Sequence, residues 1–188
     1  MMRLATPFVL AAAVATTHAP LATARAQIVE WPAFGGDLAS TKFSKLTDID
    51  RGNVARLTKA WEWATGETPN AEFRTRPGNF QATPLMLGDT LFLSTSYNRV
   101  VALDANTGKE YWAYDPKPYT AGQPSNGTGF VHRGVATWTD GRQRRIFINS
   151  RWNLIAIDAA TGQPIRSFGD TGVVDLTARL ERNGKKVN

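Results

Sequence analysis

From residue 57 onward, apolar and polar side chains alternate in short runs, which is the pattern of β-strands buried on one face. The runs end at Gly, Asp, Asn or Pro, residues that favour turns. This pattern predicts two consecutive sets of four short antiparallel strands. The first set comprises residues 82–87, 90–96, 99–104 and 109–114, and the second comprises residues 134–138, 145–150, 153–158 and 163–168.

The two sets are copies of one unit. The segment Leu-Asp-Ala-Asn-Thr-Gly at residues 103–108 returns 54 residues later as Ile-Asp-Ala-Ala-Thr-Gly at residues 157–162. In each copy we expect the Asp side chain to accept backbone N–H bonds and the Gly to supply the positive φ that closes the turn. Tandem four-stranded sheets at such a period are typical of β-propeller blades. The sequence therefore predicts an all-β fold, a β-propeller of which this chain holds about two four-stranded blades.

The sequence before the repeats predicts less regular structure. Residues 31–46 are rich in Gly and Ser and indicate an extended arm. Residues 48–57 are expected to form a short helix capped by Asp48 or Asp50. Residues 57–63 alternate in polarity and predict one strand of a further blade.

Trp112 follows the first repeated turn by four residues and is expected to lie flat between adjacent blades. Arg166 holds the same place in the second copy, so the packing there must differ. A propeller closes with roughly four to eight blades, and two blades leave open edges. We therefore expect the chain to be part of a longer protein or to pair with other chains.

The first 26 residues have the parts of a secretory signal, and residues 27–188 would form the propeller portion. Arg3 is the positive start, residues 4–15 are apolar, and the small residues around position 25 form a cleavage site. The alternative, a membrane anchor, is disfavoured because the apolar run is too short to cross a bilayer. We expect export to the periplasm, with association with the outer face of the inner membrane as a possible further step.

Composition excludes several kinds of site. The chain has 188 residues, 42% of them hydrophobic and 20% charged, which is ordinary for a globular protein. It has no cysteine, which excludes disulfides, thiolate catalysis and cysteine-bound zinc. Without the signal, the formal charge falls from +6 to +4, and the arginines near residue 144 suit a solvated turn, so no nucleic-acid partner is expected.

Several motifs resemble the N-terminal part of the quinoprotein dehydrogenases, which depend on pyrroloquinoline quinone (PQQ). They are Trp-Pro-Ala-Phe-Gly-Gly-Asp at residues 31–37, Asn-Val-Ala-Arg-Leu-Thr-Lys-Ala-Trp at residues 53–61, and the paired turns. The resemblance covers roughly residues 30–180. It implies an eight-bladed propeller that holds PQQ in a central funnel, with calcium bound in the complete enzyme.

Within that family the sequence is most similar to the glucose dehydrogenase branch, on residues 83–95 and 168–177. The alcohol dehydrogenase branch carries two adjacent cysteines shortly before the arginine of an Arg-Gly pair, whereas this chain has Gly127 and Thr128 near that place. The resemblance implies oxidation of a sugar (glucose or aldose) or alcohol hydroxyl. Electrons would pass through PQQ to a membrane quinone or another acceptor.

The resemblance assigns three cofactor-binding residues in this chain. Arg133 matches the arginine that holds a PQQ carboxylate or quinone oxygen, although an exposed loop arginine is the alternative. Gln81 matches a Glu or Gln that contacts PQQ, or it caps a strand end. Ser150 falls near a Ser or Thr that bonds a PQQ carboxylate, with Asn149 competing for that role. His132 is either catalytic or a structural hydrogen-bonding residue.

The resemblance places the catalytic aspartate and the calcium ligands in later blades, so no catalytic residue and no metal ligand is assigned in this chain. Two alternatives to an enzyme remain at this point. One is a non-catalytic scaffold of propeller repeats, such as the lipoproteins of outer-membrane assembly, and the other is an inactive truncated product. The absence of a lipid-bearing cysteine and the presence of Arg133 and Gln81 count against the scaffold.

Overall fold

The structure is a computed structural model that describes residues 29–182, 185 and 186. The signal predicted at residues 1–26 lies outside these residues. Helical structure in the described part is limited to two 3-10 turns, Val54–Arg56 and Pro118–Ala121. None of the helices described is long and apolar enough to cross a membrane.

Two four-stranded antiparallel sheets form the body of the chain, each with its strands side by side in chain order. The first blade contains β1 (Leu85–Leu87), β2 (Thr90–Ser94), β3 (Val100–Asp104) and β4 (Glu110–Tyr114). The second blade contains β5 (Ala136–Thr139), β6 (Arg144–Ser150), β7 (Asn153–Asp158) and β8 (Val173–Asp175). A short separate pair joins β9 (Glu181–Arg182) to β10 (Lys185–Lys186). The prediction of about two four-stranded blades is confirmed.

The strand predicted at residues 163–168 is wrong. The chain pairs briefly with β7, where the Ile165 N–H donates to Ala156 O at 2.9 Å, and then turns as the Phe168 N–H donates to Ile165 O at 2.8 Å. Ile165 and Phe168 are three residues apart, a spacing that suits a turn and not a strand. The Phe168 ring packs on Phe147 with centroids 5.5 Å apart, and β8 becomes the fourth strand instead.

The helix predicted at residues 48–57 is reduced to a single 3-10 turn. The N-cap of this turn is Asn53, without a side-chain cap bond, so the predicted cap by Asp48 or Asp50 is wrong. The Asp50 carboxylate instead accepts N–H bonds from Gly52 at 2.6 Å and from Asn53 at 3.0 Å, in the bend before the turn. Gly52 and Asn53 both have low helix propensity, which explains why the helix extends no further.

The two blades pack face to face through alternating side chains of their strands. In β6, for example, Ile146 and Ile148 point into this core while Phe147 points to the opposite face, as the period of two requires. The buried residues of this core are Leu85, Leu87, Phe92, Val100, Ala102, Ile146, Ile148, Ile155 and Ile157. Burial of these apolar side chains stabilises the stacking of the two sheets.

The repeated turns are built as the sequence predicts. Asp104 accepts N–H bonds from Asn106 at 2.9 Å and Thr107 at 2.8 Å, and Asp158 makes the matching pair in the second blade. The Tyr111 hydroxyl also donates to Asp104, and this bond, followed by the Thr107 N–H, lowers the pKa of the Asp104 carboxyl. The Asp104 and Asp158 side chains therefore stabilise the two turns as charged carboxylates.

Tryptophan rings connect each repeated turn to the preceding unit. Trp112 Nε1 donates to Ala159 O at 3.1 Å, and a Cβ on Gly162 would lie 2.6 Å from the Trp112 ring. The predicted position of Trp112 between the blades is confirmed. Trp61 contacts the first turn in the same way, with a hypothetical Cβ on Gly108 at 2.4 Å from its ring.

Residues 57–63 therefore occupy the place of the last strand of a preceding blade. The structure assigns no strand there, in contrast to the prediction, because no neighbouring strand among the described residues pairs with this segment. Trp61 and Trp63 are partly buried against Leu93, Val101 and Leu103 of the first blade. The segment has the side-chain alternation of a strand without the hydrogen-bonded ladder.

A buried ion pair holds the continuation of this segment. The Glu67 side chain is 7% exposed and accepts bonds from the Thr95 hydroxyl, the Tyr97 N–H at 2.9 Å and Arg99 Nε at 3.1 Å. One carboxylate thus satisfies three donors at the connection between β2 and β3. Because each partner belongs to that connection, Glu67 attaches the preceding extended segment to the first blade.

We expect Gly162→Ala to lower the free energy of unfolding by about 3 kcal/mol, because it adds a steric overlap with Trp112 to the strain of a positive φ. Gly88→Ala is the matched control, since Gly88 has a similar φ of +61° but nothing within 4 Å of the added Cβ. It should cost only about 1 kcal/mol. Urea denaturation measures both, and equal losses would contradict the close packing of Trp112 on Gly162.

We expect Glu67→Ala to destabilise the fold by about 3 kcal/mol, because it leaves Arg99 without its buried partner. Glu62→Ala removes an exposed pair with Lys59 and should cost less than about 1 kcal/mol. Thermal unfolding of the two variants provides the comparison. A Glu67→Ala protein as stable as Glu62→Ala would show that the buried pair contributes nothing to the docking of this segment.

Candidate functional site

Gln81 and Arg133 each precede the first strand of a blade, and the structure brings these two approaches together. The Thr83 N–H donates to Arg133 O at 2.9 Å. Gly134, at φ +143°, passes so close to Thr83 that an added Cβ would lie 2.8 Å from the Thr83 carbonyl oxygen. The glycine of the Arg-Gly pair is therefore required for this contact, which places Arg133 next to the segment that carries Gln81.

Both residues line a cavity of about 810 Å³, which we call the cationic cavity. Its walls come from residues 76–81, residues 123–129, Val131 and Arg133. A second cavity of about 630 Å³ shares Val131 and Arg133 with it and is lined further by apolar side chains, Thr83 and Asn149. The candidate site thus lies where the two blades begin, beside the Gly-rich loop that precedes β5.

The charges of the cationic cavity are all positive. Arg76 and Arg133 both line it, and none of the described residues in its walls is Asp or Glu. Both arginines are exposed, and within the part of the chain that the structure describes neither guanidinium has a hydrogen bond or an ion pair. Two unpaired guanidinium groups beside neutral amide donors form a site suited to a planar anion.

Ser150 does not line either cavity. It is 4% exposed, and its hydroxyl donates to Asn98 Oδ1 at 3.2 Å, while Asn98 Nδ2 donates to Phe130 O at 2.7 Å. Its neighbour Asn149, the competing candidate, is exposed at the wall of the cavity that holds Arg133. The assignment of Ser150 to a cofactor carboxylate stays a prediction, and the geometry favours Asn149.

His132 has partners on both ring nitrogens. Nδ1 lies 3.2 Å from Ser94 Oγ, and Nε2 lies 3.1 Å from Asn149 Oδ1. A histidine held on both sides by neutral groups suits a structural role better than proton transfer, which needs a nitrogen free to reach the substrate. Of the two alternatives given by the sequence, these contacts favour the structural one.

Two arginines near the site carry no signal in the sequence. Arg76 joins the cationic cavity only through the folding of residues 76–81 against the loop before β5. Arg151 Nε donates to Pro118 O at 2.6 Å, its guanidinium lies 5.4 Å from the Phe130 ring centroid, and burial lowers its pKa. Because no motif marks either position, only their tertiary neighbours identify them.

No metal centre is formed by the described residues, among which no group of three or more His, Cys, Asp or Glu side chains is placed to hold an ion.

The chain is similar in sequence to proteins of known function. A family model described as the β-propeller domain of PQQ glucose/ethanol/alcohol dehydrogenases matches residues 31–187. The quinoprotein glucose dehydrogenase of Escherichia coli (strain K12) is 34% identical over 170 residues, which cover 80% of this chain and 20% of that protein. The quinohemoprotein alcohol dehydrogenase ADH IIB of Pseudomonas putida is 36% identical over 168 residues, covering 89% of this chain and 22% of that protein.

Solved structures give the same result for the fold. The crystal structure of the quinohemoprotein alcohol dehydrogenase from Comamonas testosteroni superposes with a TM-score of 0.62 at 26% identity, over 82% of this chain and 20% of that one. A europium-containing methanol dehydrogenase superposes with a TM-score of 0.55 at 30% identity, over 71% of this chain and 22% of that one. The chain therefore spans about a fifth of the length of the relatives it matches.

Proposed function

The chain belongs to the PQQ-dependent glucose/ethanol/alcohol dehydrogenase β-propeller family, and from this premise we propose that its two blades supply part of the cofactor site of a PQQ-dependent dehydrogenase. The observation that carries the proposal is the cationic cavity, in which the unpaired Arg133 and Arg76 face no carboxylate among the described wall residues. Binding an anion there would stabilise two charges that now repel each other.

The groups present fit PQQ. The cofactor is a planar anion with carboxylates and quinone oxygens, all of them hydrogen-bond acceptors. Arg133 offers a planar set of N–H donors, and Gln81 and Asn149 offer neutral amide donors in the two cavities. The apolar part of the adjoining cavity, formed by Val131, Val135 and Phe147, suits the face of an aromatic ring system.

The reaction divides between the cofactor and the protein. Bound PQQ would accept two electrons from the substrate C–OH group, which is chemistry that no side chain in the site provides. The residues of this chain would bind and orient the cofactor through its anionic groups. No Asp or Glu among the described residues lines either cavity, so a carboxylate that removes the hydroxyl proton would have to come from outside them.

We further propose a sugar hydroxyl, of the glucose or aldose type, as the substrate and a membrane quinone as the electron acceptor. Relatives of both the sugar and the alcohol type are of similar identity, so the comparisons do not separate the two. The presence of Gly127 and Thr128 where the alcohol branch would have cysteines supports the sugar. The signal-like residues 1–26 support a periplasmic location.

We expect the full-length gene product to bind PQQ, and Arg133→Ala to raise the Kd about tenfold to a hundredfold, because it removes charge-assisted hydrogen bonds. Arg133→Lys should recover only part of the affinity, since an ammonium lacks the planar donor pair. Quenching of tryptophan fluorescence by added PQQ reports binding.

Arg166→Ala is the matched control, since it removes the same charge from an exposed position that lines neither cavity. It should leave the Kd for PQQ within about twofold of wild type, because salt screens the interaction between an exposed distant charge and the ligand. A wild-type protein that fails to bind PQQ would overturn the proposed function in favour of a scaffold. Binding that is equal in wild type and Arg133→Ala would overturn only the role of Arg133.

A further inference from the structure

We propose that His132 is a positioning residue that orients the side-chain amide of Asn149, so that the NH₂ group of Asn149 is presented to the cavity as a donor for an anionic cofactor group. The proposal rests on the proposed function, because it names a further group for the same ligand. It assigns the histidine no contact with the reacting atoms.

The backbone decides which ring nitrogen of His132 carries the proton. The Gly134 N–H lies 3.3 Å from His132 Nδ1 and can only donate, so Nδ1 must be the acceptor. The Ser94 hydroxyl, 3.2 Å from the same nitrogen, also donates to it. In a neutral imidazole the proton then lies on Nε2, which donates to Asn149 Oδ1 at 3.1 Å.

This bond in turn decides the orientation of the Asn149 amide. Because Oδ1 accepts from His132, the NH₂ group must point the other way. Within residues 29–182 it has no hydrogen-bond partner, and Asn149 is exposed at the walls of two cavities, of about 630 Å³ and about 350 Å³. Two N–H donors are therefore left for a ligand, in the cavity that also contains Arg133.

The hydrogen bonds from Ser94 through His132 to Asn149 join both blades, which makes the orientation of the Asn149 amide rigid. Ser94 ends β2 of the first blade and is fully buried, whereas Asn149 lies in β6 of the second blade, paired with Leu154. The next residue, Ser150, is fixed by its bond to Asn98 of the first blade. Because His132 is held at both ring nitrogens, the Asn149 amide is already oriented before a ligand binds. Binding therefore costs little additional side-chain entropy at Asn149.

The test uses paired variants of the full-length gene product, with PQQ as the probe and fluorescence quenching as the measurement. His132→Leu removes the bond to Asn149 and should raise the Kd about fivefold to tenfold. His132→Gln keeps an N–H donor near the position of Nε2, so it should restore affinity to within about twofold of wild type. Rescue by Gln but not Leu distinguishes positioning from simple packing.

Variants of Asn149 test the NH₂ donor directly. They remain informative even if His132→Leu fails to fold. Asn149→Asp keeps an acceptor for His132 but replaces the NH₂ group with an anionic oxygen, so it should weaken PQQ binding more than Asn149→Ala does. If Asn149→Asp binds PQQ as tightly as wild type, the proposal is overturned. That result would leave the proposed function intact, provided that wild type binds PQQ.

A spectroscopic measurement checks the tautomer independently of any ligand. Two-dimensional ¹⁵N NMR of the protein labelled at histidine nitrogens should show His132 as the Nε2–H tautomer. A merely space-filling histidine would show a mixture of tautomers. Finding the proton on Nδ1 would overturn the proposal, because Asn149 Oδ1 would then have no donor.

Discussion

The structure depends on the packing of a tryptophan ring over a glycine that has no side chain to obstruct it. At Gly162 and again at Gly108 the indole lies where a Cβ would be, and its N–H donates to a carbonyl of the same turn. The contact is both apolar and directional, so it fixes distance and rotation between successive units at once. The aliphatic core between the sheets could tolerate sliding, whereas a hydrogen-bonded ring cannot.

The position of the site follows from that stacking. Arg133 and Gln81 belong to different blades, and each lies just before the first strand of its own sheet. Once the blades are stacked, the Thr83 N–H reaches Arg133 O and both side chains share one cavity. A site at the junction of two repeats can contain several arginines and no carboxylate, because each repeat contributes only one of the positive charges. The cost is mutual repulsion between the cations, which an anionic ligand would relieve.

The neutral groups around the arginines complement this charge. His132, Ser94 and Asn149 form a chain of hydrogen bonds across the blade junction, in which His132 Nδ1 and Asn149 Oδ1 are the acceptors. Such a network keeps an amide donor oriented before a ligand arrives, which is the preorganisation that binding sites for planar anions require. The relatives that this chain matches are about five times its length, so its two blades carry only part of what those proteins contain.

The sequence by itself determined the strands, the repeated turns and the family, because each depends on local rules. Alternation with a period of two defines a strand, and Asp and Gly at fixed positions define the turn, as at Asp104 and Gly108. The same rules failed at residues 163–168, where the three-residue spacing of Ile165 and Phe168 belongs to a turn. The family resemblance predicted that Arg133 and Gln81 bind the cofactor, and the fold brings these two residues to one cavity.

Only the tertiary structure decided which other groups share that site. Arg76 lies far from Arg133 in the chain, and Asn149 rather than Ser150 faces the cavity because side chains alternate along β6. The tautomer of His132 depends on a backbone N–H two residues away and on partners from both blades. These relations involve distances between separate strands, and no sequence period encodes such distances.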